Sequence, residues 1–281
     1  AIQDANILLA EIDKVPGMDG LKRSRFKAEA IFMRNLSYFF IVRAFGDVPY
    51  YTNAYNEAPL PRTNMVIVLQ NCLADLQPLL DDDPGAEVLP WSYSSYSSKG
   101  IRASRGSVIA LMMHINLWLV QFDAQNKEQY YRNVVSLGEE LERNNGAYSL
   151  LDINRSSVIF ARGSDEGLFE IAQNINFNEI FMMNAKFSDN VSYSCLNKYT
   201  PVFCYSGDYL MSLFPMYEDD ARKELWFDEK IYSTSVSSSA PKEIKKFWNI
   251  DTYGNGTITS NSGNQIVFRY AGALLFNNIS G

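Results

Sequence analysis

The stretch that constrains this chain most is residues 22–50, KRSRFKAEAIFMRNLSYFFIVRAFGDVPY. Ala28, Phe32, Leu36, Phe39 and Phe40 recur at helical spacing, with Ile31, Tyr38 and Val42 beside them. That period predicts one long amphipathic helix, and Arg34, Asn35 and Arg43 supply its polar positions. The helix must stop at Phe45-Gly46-Asp47-Val48-Pro49. Glycine accepts a positive φ after the last turn, and proline cannot continue a helix. A stripe of this kind means burial, so the chain needs further helices to cover it.

Those helices are present. Residues 2–13 carry Ile2, Ala5, Ile7, Leu8 and Ile12 on one side, and Val15-Pro16-Gly17 ends them. After a Pro-containing loop over 51–63, Thr63 or Asn64 can cap a helix from Met65 to about Leu80. Its stripe runs Val66, Leu69, Cys72, Leu73, Leu76, Leu79 and Leu80, and Pro78 kinks its last turn or lies outside it. Asp81-Asp82-Asp83-Pro84-Gly85 then reads as a solvated turn. It lacks the alternating ligands and closing Glu of a calcium loop. A helix near 103–122 carries Val108, Leu111, Met112, Ile115, Leu119 and Phe122, with His114 and Trp118 on another face. One near 127–144 carries Tyr130, Val134, Leu137 and Leu141, and Gly146 suits its C-terminal cap.

The character changes after 151. Residues 167–171 read as a short strand. Residues 174–206 are rich in Asn, Ser, Tyr and Phe without steady period, and 208–217 and 219–226 read as short helices. Residues 232–240 and 253–264 read as exposed loops, and Gln265–Leu275 resumes an apolar run. The chain therefore divides into a helical repeat core at 1–150 and a loop-rich region at 151–281 that returns to that core, the whole forming one structural domain. Paired helices in series predict a mainly α fold of tetratricopeptide type in a superhelical array with long irregular loops.

Charge and cysteines narrow the chemistry. The 281 residues carry a net charge of −7, which argues against nucleic acid as partner because phosphate binding needs a basic face. No apolar run is long enough for a membrane-spanning helix. Of Cys72, Cys195 and Cys204, the first sits on an apolar stripe as a buried thiol, and the other two can pair only in an oxidising compartment. His114 is the single histidine. It reads as a partnered structural residue, and no metal or cofactor set accompanies it.

Aromatic residues are the chemically suggestive feature. The chain has 17 Tyr, 17 Phe and 4 Trp, and several stand in polar loops rather than on helix stripes. Trp91, Tyr93 and Tyr96 form one group within VLPWSYSSYSSKG, read as exposed. Tyr193, Tyr199 and Tyr205 form a second, and Trp226 and Trp248 adjoin turns. Flat rings beside amides such as Asn174, Asn176, Asn178 and Asn184 suit a carbohydrate, which presents apolar C–H faces and many hydroxyls. The expected ligand-binding residues are Trp91, Tyr93, Tyr96, Tyr193, Tyr199, Tyr205 and Trp226. An enzyme reading, a glycoside hydrolase, needs two carboxylates facing each other across a cleft. Glu218, Asp219 and Asp220 are adjacent on one short element and cannot flank a sugar, so no enzyme is expected. A helical-repeat scaffold or adhesion protein that binds another protein is the alternative.

The segment AEAIFMRNLSYFFIVRAFGDVPYY resembles the hallmark of the SusD-like (RagB/SusD) family, a helix ending in an aromatic-Gly-Asp-Val-Pro turn. Further similar motifs follow in order: Pro61-Arg62-Thr63 through Asp75-Leu76, residues 101–119 with Arg102, Arg105 and Gly106, Tyr148–Leu151, Glu166–Ile171, Tyr217 with Asp220 and Arg222, and Phe268-Arg269-Tyr270-Ala271. Gly272 stands where the family pattern has Asp, and Asn277-Asn278 where it has Ala-Glu. Both ends of the chain look mid-element, so the expectation is a fragment lacking N-terminal and C-terminal parts. The resemblance implies a cell-surface, non-catalytic lipoprotein of the outer membrane. Its expected role is to bind oligosaccharide or a related nutrient and deliver it to a SusC-like TonB-dependent transporter. The N-terminal lipid anchor that the resemblance implies is expected to lie outside this chain, in the missing N-terminal part.

Overall fold

The computed structural model describes residues 1–95, 97–144, 146–153, 156–159, 162–173, 207–222, 251–253, 257–260 and 264–280. Two compact units are present. The first comprises 1–150, 165–169 and 267–281, and the second comprises 151–164 and 170–266.

The first unit is built from α1 (Ile2–Glu11), α2 (Gly20–Phe45), α3 (Met65–Leu76), the short α4 (Pro78–Asp81), α5 (Arg105–Leu119) and α6 (Lys127–Arg143). A late helix, Tyr270–Ser280, completes it and is α9 below. The fold is mainly α, and successive helices pack in tetratricopeptide-like pairs, α1 on α2, α2 on α3 and α5 on α6, with the late α9 also packed on α6. Cores form where the stripes meet. Phe32, Leu36, Phe39 and Val42 of α2 are buried with Val68, Leu69, Cys72 and Leu76 of α3 and Ile109, Met113 and Ile115 of α5. Burial pushes the Cys72 thiol up to about 12, so it is the inert apolar side chain expected from its position.

Local chemistry sets the helix ends. Asp19 caps α2 by accepting from Lys22 N at 2.9 Å. Ser104 caps α5 in a reciprocal box with Ser107, satisfying donors that the first turn leaves open. Pro78 lies outside α3 and opens α4, where its missing N–H costs nothing. Gly46 ends α2 with φ +68. The FGDVPY turn that follows is a joint. The Asp47 carboxylate accepts from Met65 N at 2.9 Å at the start of α3, and Val48 and Thr63 exchange backbone bonds. The Tyr38 hydroxyl donates to Tyr51 O at 2.8 Å and accepts from Tyr51 N at 2.9 Å, which anchors the departing chain.

Arg34 and Asn35, two of the polar positions of α2, are buried. Arg34 donates to Asn6 Oδ1 at 2.8 Å and Asp75 Oδ2 at 2.7 Å, and Asn35 donates to the same Asp75 oxygen at 2.6 Å. The network joins α1, α2 and α3. Asp83 in the triple-Asp turn is only 8% exposed. Its carboxylate accepts from the N–H groups of Glu87, Val88 and Leu89, so this carboxylate orders backbone instead of meeting water. Helix α6 ends on Asn144, not Gly146; the Asn144 amide donates to Glu140 O at 2.9 Å. Tyr253 and Thr257–Ser260 lie in strands rather than in a loop, because the β-branched run Thr257-Ile258-Thr259 favours extended backbone.

In the second unit, α7 (Ser156–Ile159) and α8 (Gly207–Leu213) are short, and β2 (Asp251–Tyr253) pairs antiparallel with β3 (Thr257–Ser260). The predicted strand at 167–171 is β1 (Gly167–Ile171), and it pairs with β4 (Gln265–Arg269). The apolar run from 265 is therefore strand followed by helix. Within the second unit the Glu170 carboxylate is fully buried and accepts from Gly163 N and from Asn264 Nδ2 at 2.8 Å. Residues 174–206, with Cys195 and Cys204, and residues 223–226 and 232–240 lie outside the described residues.

Candidate functional site

The aromatic loop between α4 and α5 is the part of the described surface where rings, charges and irregular backbone meet. Its backbone is held at both ends. Leu89 is buried and Leu89 N donates to Asp83 Oδ2 at 2.9 Å; Arg105 N donates to Pro90 O at 3.0 Å. Arg25 of α2 donates to Val88 O at 2.8 Å and Glu87 O at 3.0 Å. A turn over Ser98–Arg102 follows, with Ile101 N and Arg102 N donating to Ser98 O and Gly100 at φ +74. Lys99 forms an ion pair with Asp165.

Trp91 and Tyr93 are half-buried rather than exposed. Each lies against a guanidinium. The Arg105 Cζ sits 5.3 Å from the Trp91 ring centre, and the Arg102 Cζ sits 5.4 Å from that of Tyr93. Both cations are fixed from behind. Arg105 donates to Asp83 O at 2.8 Å, Leu80 O at 3.1 Å and Glu140 Oε1 at 2.8 Å. Arg102 Nε donates to Glu29 Oε1 at 2.8 Å, and this bond to a carboxylate raises the guanidinium pKa further. The Tyr93 hydroxyl donates to Ala103 O at 3.2 Å; burial, with the nearby Glu29 charge, raises its pKa and keeps it a donor. Tyr148 donates to Trp91 O and lies over Gly106, where a Cβ would come within 2.6 Å of the Tyr148 ring. Burial pushes Tyr148 up to about 12. The loop is thus held in place before any ligand arrives, which lowers the ordering cost of binding. A ring with one face on a guanidinium has only its remaining surface for a second stacking partner.

Of the other expected site residues, Tyr96, Tyr193, Tyr199, Tyr205 and Trp226 lie outside the described residues. Tyr217, outside the expected binding set, is 87% exposed in the turn after α8, next to the exposed Met216. Its signal was available: an aromatic residue between Met216 and three acidic residues in a polar turn. Asp220 in that turn accepts from Arg222 N and Nε at 2.9 Å, and Arg222 stacks on Phe214. His114 is packed among the rings of Phe39, Phe268 and Phe276. Burial, and then the Arg43 charge, push it down to about 4. No group of three or more metal-ligating side chains occurs among the described residues, and no single helix there is long and apolar enough to cross a membrane.

The family described as starch-binding, associating with outer membrane, matches residues 1–117, which contain the whole aromatic loop. A SusD homologue from Bacteroides thetaiotaomicron VPI-5482 is 94% identical, with a TM-score of 0.86 over 99% of this chain and 59% of that one. Surface glycan-binding protein A from Bacteroides uniformis is 18% identical, with a TM-score of 0.73 over 99% of this chain and 59% of that one. A laminarin-binding SusD-like protein is 22% identical, with a TM-score of 0.71 over 99% and 64%. The chain therefore spans about three-fifths of the length of the solved structures it resembles. No curated protein matches it.

Proposed function

Because the chain belongs to the SusD-like family, we propose that it takes part in non-catalytic binding of an oligosaccharide at the outer membrane. The observation that carries this reading is the overlap of the starch-binding family match with a preorganised aromatic loop. Trp91, Tyr93 and Tyr96 form one part of the ligand surface. Tyr193, Tyr199, Tyr205 and Trp226 form another, and Tyr217 joins them. Stacking of a sugar ring on aromatic faces supplies the affinity, and loop amides and carboxylates supply direction. In the whole protein, a lipid anchor holds the molecule to the membrane, and the bound glycan passes to a SusC-like TonB-dependent transporter.

Isothermal titration of starch-derived and laminarin oligosaccharides tests the binding. Tyr96→Ala is expected to weaken it by about 1 kcal/mol without changing the circular dichroism. Absence of binding to any glycan by the whole protein, together with tight binding of a peptide, would favour the scaffold reading instead. Sugar release that depends on a single carboxylate would overturn the non-catalytic assignment. Co-purification of the whole protein with a TonB-dependent transporter tests delivery.

A further inference from the structure

A cleft of about 350 Å³ opens among α3, α4, α5 and α6, apart from the aromatic rings of the loop. This volume falls within the range of small-molecule pockets, about 300–1,000 Å³. Leu73, Leu80, Met112 and Leu137 give it an apolar side. Gln77, Asp81, Asn116, Asn133, Ser136 and Glu140 supply its polar groups.

These polar groups are held in defined orientations. Asn116 is buried, donates to Met112 O at 2.8 Å and accepts from Asn133 Nδ2 at 3.0 Å. Gln77 Nε2 donates to Asp81 Oδ1 at 2.9 Å. Glu140 takes both Arg105 bonds on Oε1, and its second oxygen keeps its own acceptor capacity. The lining holds two carboxylates, three amides and one hydroxyl, and no Lys or Arg. Glu140 is compensated by Arg105 behind it, while Asp81 meets only the neutral Gln77 amide among the described residues, so the lining favours a neutral ligand over an anion. An apolar side beside fixed acceptors and donors matches a pyranose ring, with one C–H face and a rim of hydroxyls.

We propose that this cleft binds a neutral hexose unit, as a second carbohydrate site distinct from the aromatic loop. Arg105 joins the two places, because the guanidinium that stacks on Trp91 also anchors Glu140 in the cleft. The assignment stands on the cleft's own residues and not on the oligosaccharide reading above.

Saturation-transfer NMR on the full chain with methyl α-glucoside tests it. A saturable signal is expected, and Ser136→Trp, which fills the cleft from the exposed side of α6, should weaken it about tenfold or more. Gln77→Ala at the exposed rim should weaken it about fivefold, the worth of one neutral hydrogen bond. It carries the test if the tryptophan variant does not fold. Binding of long glucans should survive both changes. No saturable signal, or no change in either folded variant, overturns the proposal, as does preferential binding of inorganic phosphate at the same place. A variant-sensitive glucoside signal in a chain that ignores long glucans would sink the oligosaccharide reading and leave this one standing.

Discussion

Arg34 and Arg105 are both 6% exposed, and both meet a carboxylate from a later helix, yet they organise different things. Arg34 meets only side chains, Asn6 of α1 and Asp75 of α3, so it fixes how three helices are rotated against one another. Arg105 gives two of its bonds to backbone carbonyls, Leu80 O and Asp83 O, and its plane to Trp91. Helices satisfy their own backbone, so a staple between them can be side chain to side chain. The connection from α4 to α5 is largely irregular, and its carbonyls must find partners elsewhere. One arginine sets a frame and the other sets the path of a loop.

The largest expected effect comes from breaking the first. Asp75→Ala leaves the buried Arg34 without its counter-charge and Arg34 and Asn35 without their shared carboxylate, and should cost about 3–5 kcal/mol in urea unfolding. Asp75→Asn, which retains an oxygen acceptor, should cost less. A loss below about 1 kcal/mol for the alanine variant would show that Arg34 is not a staple. Arg105→Lys is the matching test of the second. It keeps the charge but loses the fork, so about 2 kcal/mol is expected. Amide exchange should rise over 83–95 and stay unchanged over α1 and α2. Uniform loosening of the whole unit would erase the distinction between frame and loop.

A third test asks whether either node governs acid sensitivity. His114 has its pKa lowered from the usual 6.5 to about 4 in the folded chain. Between those values the unfolded chain binds the extra proton and the folded one does not. This contribution therefore makes stability fall as pH drops from about 6.5 through 4, by about 3 kcal/mol in total, and little further once both states are protonated. His114→Phe should flatten that part of the profile. If the slope persists in the variant, the ion pairs of the two nodes are the place to look. The smallest effect is Tyr93→Phe, which removes the bond to Ala103 O while keeping the ring under Arg102. About 0.5–1 kcal/mol of stability and no glycan affinity should be lost.

Much of the frame was legible because its causes are local. The stripe in α2, the Asn64 cap before α3, Pro78 and the Ser104 start of α5 each act within a few residues. Departures arose where a polar residue had a distant partner. Asp83 looked like a solvated turn because its backbone partners lie in a loop with no period. The burial of Arg34 and Asn35 was not legible, because their partners Asn6 and Asp75 are remote in sequence. Trp91 and Tyr93 looked exposed because the guanidinium groups beneath them belong to a loop end and a helix that only folding brings close.

By itself, then, the sequence determined where most helices begin and end, the Gly46 turn, and the ordered motifs that mark the family. Helix period, caps and breakers are properties of neighbouring residues. The tertiary structure alone decided which arginine meets which carboxylate, which rings are covered, and that α3 to α6 leave a polar cleft between them. Those depend on groups far apart in the chain, and a sequence pattern carries no distance between them until the packing of the apolar stripes has set it.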